Sequence, residues 1–500
     1  MIDLLVKYTI DYIYDRIGIA DLDRVYHKYI NDHDLTDAEE LSTLAAAFSD
    51  ILNACEGHEL YYYILSFLIY STKSPKLYKQ FLRKSIEDSV LTKENRYYLY
   101  MYAMELIFLG VVKGDGESRD LLDDLYRVVF DAFNNSIPGK YNFIEKEDRD
   151  ENLVVVLTSQ VLGLMHGPTK TMLDRSMVIK KCLDKDVFII NTAEMTRLSG
   201  EMQVFNAKQG SYLEEYNEIE KMDYLDYSFD FLQCPDNMPS VPVIEQVLDV
   251  ISEYKPYCIV CIGGSSIVND ICSKIIPTVS IATVPSAHTQ TYGQFQALGK
   301  KVDDEDIRWA EKNGLSKDHF IESVFTSSFK PQLHTYKRKD LQLPENGFIV
   351  ILVGGRLDDE IDDECLNLLL RLMNQGIYCA FMGVFKKYSV MKEKNDVFKK
   401  YGIDLGFQED ALAVVECCDV YLNPKRVGGG TSVAEALYKG LPVVTLDYGD
   451  GGLGAGEDFY ADDYNDMYEK IIQYSNNKEL YDSMSKKAKE RANVLTDSEG

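Results

Sequence analysis

One stretch near the C-terminal end limits the choice of fold more than any other. Asp419-Val-Tyr-Leu422 is an apolar strand, Asn423 to Gly430 a loop closing on three glycines, Val433 to Tyr438 a helical periodicity, and Val443 to Leu446 a second apolar strand after Gly440-Leu441-Pro442. Strand, loop, helix and strand in that order make one step of a parallel sheet. Gly428, Gly429 and Gly430 let bare backbone approach a ligand, and Thr431 and Ser432 suit the N-cap of the helix. The unpaired N–H groups of the first turn attract anions, so the expectation is a phosphate cradle. Lys425 and Arg426 flank it, and Glu435, one turn in, can point a carboxylate back at the ligand.

The same rhythm extends upstream. Phe348 to Val353 reads as a strand ending at Gly354-Gly355-Arg356, followed by alternating helices and strands up to Asp419. An earlier series runs from Val154-Val-Val-Leu157 through a glycine-bearing loop with His166 to a helix over 169–183, a strand over 186–190, a helix over 242–254 and a strand over 257–262. That last strand ends on Gly263-Gly264-Ser265-Ser266, a second glycine loop opening a helix. Ligands of parallel sheets gather at the carboxyl ends of strands, where His166, Gly263, Gly264 and Arg356 all fall. Residues 1–145 differ: apolar spacings of three and four predict helices over 38–54, 60–70, 76–90, 93–109 and 118–134. Tyrosines cluster there, at Tyr61 to Tyr63 and at Tyr97, Tyr98, Tyr100 and Tyr102. They are expected to pack with their hydroxyls at the rim of a helical bundle. The polar segment 134–152 reads as a linker.

The expected architecture is therefore α/β, two facing Rossmann-like domains preceded by an all-helical domain. The boundaries are 1–145 for the helices, 150–335 for the first Rossmann-like domain and 336–500 for the second. Composition agrees with a folded chain of several domains: 500 residues, 46% hydrophobic and 27% charged. A net charge of −28 argues against a nucleic-acid partner, since phosphate backbones require cationic surface. No apolar run reaches the ~18 residues of a membrane span, and no signal peptide is apparent. The expected location is cytoplasmic, with peripheral membrane association left open. Cys258 and Cys261 form the one C-x-x-C pair, but on a strand they face opposite sides, so the ten cysteines read as reduced core residues and no metal site is expected.

The glycine loop, its Glu435 helix and the Gly440-Leu-Pro-Val-Val444 step, together with Val353-Gly-Gly-Arg356, resemble the GT-B glycosyltransferases over roughly residues 150–495. The large retaining branch usually carries two glutamates eight residues apart and a lysine shortly after its Gly-Arg. Here the first glutamate would fall at Val427, and Leu357-Asp-Asp-Glu360 follows Arg356 with no lysine. The protein O-GlcNAc transferase branch is also similar, in Thr431, Ser432 and Glu435, in Thr158-Ser159 followed by His166-Gly-Pro-Thr169, and in the helical N-terminal region.

The resemblance implies a metal-independent enzyme with no cofactor. It takes a nucleotide diphosphate sugar, UDP-linked, as donor and a saccharide or protein hydroxyl as acceptor. Gly428 to Gly430, Thr431 and Ser432 would hold the diphosphate, with Lys425 and Arg426 as further cations. Glu435 would bind the ribose hydroxyls, Arg356 would stabilise the departing nucleotide, and His166 would take the acceptor's proton or orient the donor. Gly263 and Gly264 would form a second helix-terminus site, and the acidic glycine-rich loop 449–458 would lie near the donor sugar or base. The alternatives are a GT-B subunit that has lost catalysis and stabilises a partner, or a nucleotide-sugar epimerase.

Overall fold

The computed structural model describes residues 1–497 apart from 34, 36, 57, 59, 165, 195–201, 208–211, 236–238, 285–288, 325, 328 and 330. The chain divides into two compact units. The first comprises Met1–Lys180, Asp184–Ser280 and Gln290–Gln294, the second Lys181–Leu183, Ile281–Thr289 and Phe295–Gly500.

The first unit opens with helices Ile2–Ile13, Ile19–Asp32, Ala38–Ala54, Leu60–Thr72, Pro75–Glu87, Lys93–Phe108 and Gly116–Asn134. Their starts follow from the local chemistry. Asp37 accepts the N–H groups of Glu39 and Glu40, Ser74 that of Leu77 ahead of a proline at the first turn, Thr92 that of Asn95, and Asp115 that of Ser118. Leu60–Thr72 is buried on every side, as its nearly unbroken apolar sequence requires.

A parallel sheet follows in the same unit. Its strands are β1 (Asp150–Thr158), β2 (Asp186–Asn191), β3 (Lys221–Tyr224), β4 (Tyr227–Gln233), β5 (Pro256–Gly263) and β6 (Thr278–Ala282), in the order β3-β4-β2-β1-β5-β6. Only the β3–β4 hairpin is antiparallel among the pairings described. One continuous core joins the helices to this sheet, from Leu5, Phe48, Tyr97 and Phe133 to Val155, Leu157, Ile190 and Ile259. A separate helical domain ending near residue 145 is therefore not what the contacts show. The segment expected as a linker is packed down too: Ile144 N–H donates to Ile275 O at 2.8 Å, and the Tyr141 hydroxyl to Glu245 O at 3.0 Å.

The Tyr62 and Tyr63 hydroxyls meet the part-exposed Asp88 and Asp23 at 3.1 and 2.7 Å, but the tyrosines of the later helices correct the expectation that placed them at a rim. Tyr97, Tyr100, Tyr102 and Tyr126 are buried, and their hydroxyls reach Glu194 at 3.4 Å, Gln290 at 2.5 Å, the carbonyl of Phe205 at 2.7 Å and Asp270 at 2.7 Å. A buried hydroxyl needs a partner, and each of these finds one on the sheet side of the core.

In the second unit, β7 (Phe295–Leu298) and β8 (Phe320–Glu322) pair in parallel. A second sheet comprises β9 (Ile349–Gly354), β10 (Tyr378–Gly383), β11 (Gly402–Gly406), β12 (Val420–Leu422), β13 (Val443–Leu446) and β14 (Tyr460–Ala461), in the order β11-β10-β9-β12-β13-β14. Its pairings are parallel, and its core is separate from the first. The helices Tyr464–Asn476 and Lys478–Thr496 pack on that core through Met467, Ile471, Met484 and Ala488. Residues before 336 also belong here: Phe329 packs on this core, and Asp410 accepts the N–H groups of Leu333 and His334, each at 2.8 Å. Among the described residues, no helix is long and apolar enough to cross a membrane. All ten cysteines are free thiols; Cys261 is buried and Cys258 half-buried on β5.

Candidate functional site

In the second sheet the chain runs from β9 outward through β10 and β11, then returns to start the other side with β12. The reversal lies between β9 and β12, which pair Val350 with Val420 and Ile351 with Tyr421. Crevices outside the carboxyl ends of strands at such a reversal are where open parallel sheets bind ligands. Gly354, Gly355 and Arg356 leave β9 at that point, and Asn423 to Gly430 leave β12.

Arg426 builds the loop after β12. Its guanidinium is almost fully buried, with side-chain exposure of 6%, beside Glu360 at 9%. Its five N–H donors meet five acceptors. Nε bonds Asn423 Oδ1 at 2.8 Å; Nη1 bonds Val353 O at 2.9 Å and Glu360 Oε2 at 2.7 Å; Nη2 bonds the Tyr421 hydroxyl at 2.8 Å and Ser432 Oγ at 3.4 Å. Those acceptors come from β9, the turn after it, β12 and the helix Gly430–Tyr438, so one side chain ties together every element around the crevice.

Gly429 lies flat on this guanidinium. Its φ is +99°, and a Cβ built there would stand 2.5 Å from Arg426 Nε. Gly354 is confined in the same way, with Glu360 Oε2 2.6 Å from where its Cβ would be. Both positions exclude a side chain.

Gly429 is also the N-cap of the helix Gly430–Tyr438, which has no side-chain cap. This corrects the expected capping role of Thr431 and Ser432, which lie inside the first turn. The glycine takes the left-handed backbone of the cap at no steric cost, which places both hydroxyl residues one step further on. Thr431 is exposed. Ser432 donates to Gly429 O at 3.1 Å and accepts from Tyr421 at 2.8 Å, so its hydroxyl is spent on the loop. Glu435 is half-buried on the same helix. Burial pushes the Tyr421 hydroxyl pKa up; Arg426 opposes this and the Glu435 and Glu360 charges add to it.

Arg356 is about 38% exposed, with Nε 3.6 Å from Glu360 Oε1. One carboxylate thus holds Arg356 and Arg426 together. Asp358 turns elsewhere, accepting the N–H groups of Lys386 and Lys387 at 3.1 and 2.7 Å. Lys425 is exposed, its ammonium 5.4 Å over the Tyr448 ring. The segment expected as an acidic loop forms a short helix, Gly449–Ala455, whose Asp450 N–H donates to Val427 O at 2.7 Å and whose backbone packs on Gly430. Glu360, Tyr421 and Asn423 belong to this site without having been singled out in the sequence. The one local signal was an acid four residues after Arg356.

The first unit has its own reversal, between β1 and β5, where Thr158 pairs with Ile262. Gly263 ends β5, and a Cβ there would lie 3.2 Å from Ser159 Oγ. The helix-terminus site expected at Gly263 and Gly264 is corrected: Glu194 already fills it. Its carboxylate accepts the N–H groups of Ile267 at 2.9 Å and Val268 at 3.3 Å, and the hydroxyls of Ser266 at 2.6 Å and Thr192 at 2.9 Å. Burial raises the Glu194 pKa and these bonds oppose the rise. His166 stands before the helix Gly167–Cys182, with Nδ1 2.9 Å from Thr169 Oγ; burial lowers its pKa, so the ring is neutral at pH 7. Arg356, Arg426, Gly428 to Gly430, Ser432 and Glu435 therefore gather in one unit, and His166, Gly263 and Gly264 in the other. Among the described residues, no cluster of His, Cys, Asp and Glu is placed to hold a metal ion.

No family model matches the sequence, and no curated protein matches it significantly. Solved structures do match in fold. A mutant O-GlcNAc transferase of Thermobaculum terrenum aligns over 100% of this chain and 94% of its own, with 13% identity and a TM-score of 0.56. A glycosyltransferase of Rickettsia africae aligns over 69% of this chain and 95% of its own, at 10% identity and a TM-score of 0.47. HepE of Anabaena, solved in complex with UDP, aligns over 68% and 94%, at 14% and 0.45. The chain has the GT-B fold, with an N-terminal helical region joined to the first of its two parallel sheets.

Proposed function

We propose that the chain is a glycosyltransferase that moves a sugar from a UDP-linked donor to a hydroxyl of a saccharide or protein acceptor. The observation that carries this reading is the crevice between β9 and β12. There a glycine loop, a helix N-terminus without a side-chain cap and Arg356 converge at the reversal of a parallel sheet. The helix end contributes roughly half a positive charge and free N–H donors toward a diphosphate. Arg356 adds a fixed cation at the point where negative charge builds on the leaving group. Glu435 is assigned the ribose hydroxyls. Thr431 and Lys425 are the exposed side chains offered for further contacts.

In the reaction, the bond from the sugar's anomeric carbon to the diphosphate oxygen breaks and UDP leaves with the electron pair. The acceptor oxygen forms the new bond and gives up its proton. A base must take that proton; His166, whose pKa burial lowers, has the ring chemistry for the task. No metal or organic cofactor is assigned a part.

The test is calorimetric titration of UDP into the wild type and the Arg356→Ala and Glu435→Ala variants, with turnover of a panel of UDP-sugars. Wild-type binding that weakens about tenfold or more in each variant is expected, the size of one charged hydrogen bond lost. Equal UDP affinity in all three proteins contradicts the site. Intact UDP binding with no hydrolysis or transfer of any sugar favours a subunit without catalysis.

A further inference from the structure

Arg426 is the cation nearest the glycines in sequence, and its geometry gives it a different task from holding the ligand. Every N–H of its guanidinium is directed at a protein acceptor, at 2.7 to 2.9 Å in four cases and 3.4 Å in the fifth. To reach a diphosphate it would have to abandon Glu360, leaving a nearly buried carboxylate with only its longer 3.6 Å contact to Arg356, which is costly. The same side chain is the floor on which Gly429 lies. Through Ser432 and Tyr421 it fixes the start of the helix, and through Val353 O it fixes the end of β9.

Glu360 extends this. Oε2 takes Arg426 and Oε1 lies 3.6 Å from Arg356 Nε, so one carboxylate faces both arginines.

We propose that Arg426 and Glu360 are positioning residues. The pair touches no ligand atom, holds the loop 427–430 in its open pose and orients Arg356 toward the same crevice, so that the diphosphate-binding groups are set as one unit. This deepens the reading of the crevice as the donor site and rests on it for its consequence in binding. The alternative is direct action, in which Arg426 bonds the diphosphate and Glu360 competes with it. The two differ in sign. If the arginines act directly, neutralising Glu360 releases positive charge and tightens diphosphate binding. If the pair positions the loop, the same change weakens it.

The experiment uses the full chain in four forms: wild type, Glu360→Gln, Arg426→Lys and, as a control, Asp419→Asn. Asp419 pairs with Arg338 through two 2.8 Å contacts in the same unit and accepts the Ile349 N–H at 2.8 Å, at the starts of β12 and β9, the opposite ends of those strands from the crevice. Hydrogen exchange of the amides in 427–432 is measured without ligand. It is expected to quicken about tenfold or more in Glu360→Gln and Arg426→Lys and to stay unchanged in Asp419→Asn. UDP affinity is then measured by calorimetry. Glu360→Gln is expected to weaken it about tenfold, and Arg426→Lys, which keeps the charge and loses the planar fork, is expected not to restore it. Asp419→Asn is expected to lower the melting temperature with UDP affinity intact.

Unchanged loop exchange in Arg426→Lys, or UDP binding that tightens or holds in Glu360→Gln, overturns the proposal. A wild type that binds no UDP instead overturns the reading of the crevice as a donor site, while the exchange result still decides whether the pair holds the loop.

Discussion

Each unit follows a central strand with a glycine-bearing loop that opens a helix, but the two helix starts are treated in opposite ways. After β5, the helix Ile267–Cys272 receives the Glu194 carboxylate on its first N–H groups, with Ser266 and Thr192 completing the cage and Tyr97 approaching at 3.4 Å. After β12, the helix Gly430–Tyr438 starts on bare Gly429 with no side-chain cap, while Glu360 is taken by Arg426 and Asp450 is buried against Gly430. The same local motif is thus closed with the protein's own carboxylate in one place and carries no side-chain cap in the other. A glycine loop before a helix offers an anion site; what decides its use is whether the chain has already supplied the anion.

Breaking the closed loop is expected to have the largest effect. Glu194→Ala leaves two buried N–H groups and the Ser266 hydroxyl without their acceptor, and stability by urea denaturation is expected to fall by about 4 kcal/mol. A loss under about 1 kcal/mol would mean that the cage contributes little net stability.

Next comes an acid on that same helix. Asp270 is fully buried, accepting from Tyr126 at 2.7 Å and Thr291 at 2.6 Å, and burial pushes its pKa up to about 6 despite these bonds. The native state therefore holds a proton that the unfolded chain releases at lower pH. The contribution of Asp270 to stability falls as pH rises from about 4 to about 6 and is flat above, by roughly 3 kcal/mol in all. Asp270→Asn is expected to gain stability relative to wild type across that window. Parallel denaturation curves at each pH would contradict this.

The smallest pair of effects sharpens the open loop. Gly429→Ala places a methyl on Arg426 at a positive φ and is expected to cost about 30-fold in UDP affinity. At Gly428 a Cβ meets nothing within 4 Å, so Gly428→Ala is expected to stay within about twofold. Equal losses at the two positions would detach the loop's pose from Arg426.

The strand, loop and helix around Gly428 to Gly430 were legible in the sequence because periodicity and glycine punctuation are local signals. So was the strand-end position of Arg356, and the N-terminal helices stood out through their three- and four-residue spacing. Partners distant in sequence were not legible. Glu194 closes a helix more than seventy residues further on, and Glu360 meets Arg426 across 66 residues. No local pattern marks either acid as buried. The tyrosines misled because their spacing reports a helix face, whereas the fate of each hydroxyl depends on what the sheet brings to it. The capping residue was displaced because Gly429, with its left-handed backbone, starts the helix ahead of the two hydroxyl residues.

The most direct test of the contrast is the footprint of UDP on amide hydrogen exchange in the wild-type chain, read over both loops at once. Exchange in 427–432 is expected to slow on adding UDP, with no change in 265–268, where Glu194 already occupies the helix start. Protection confined to 265–268, or none in 427–432 at a saturating UDP concentration, would contradict that expectation.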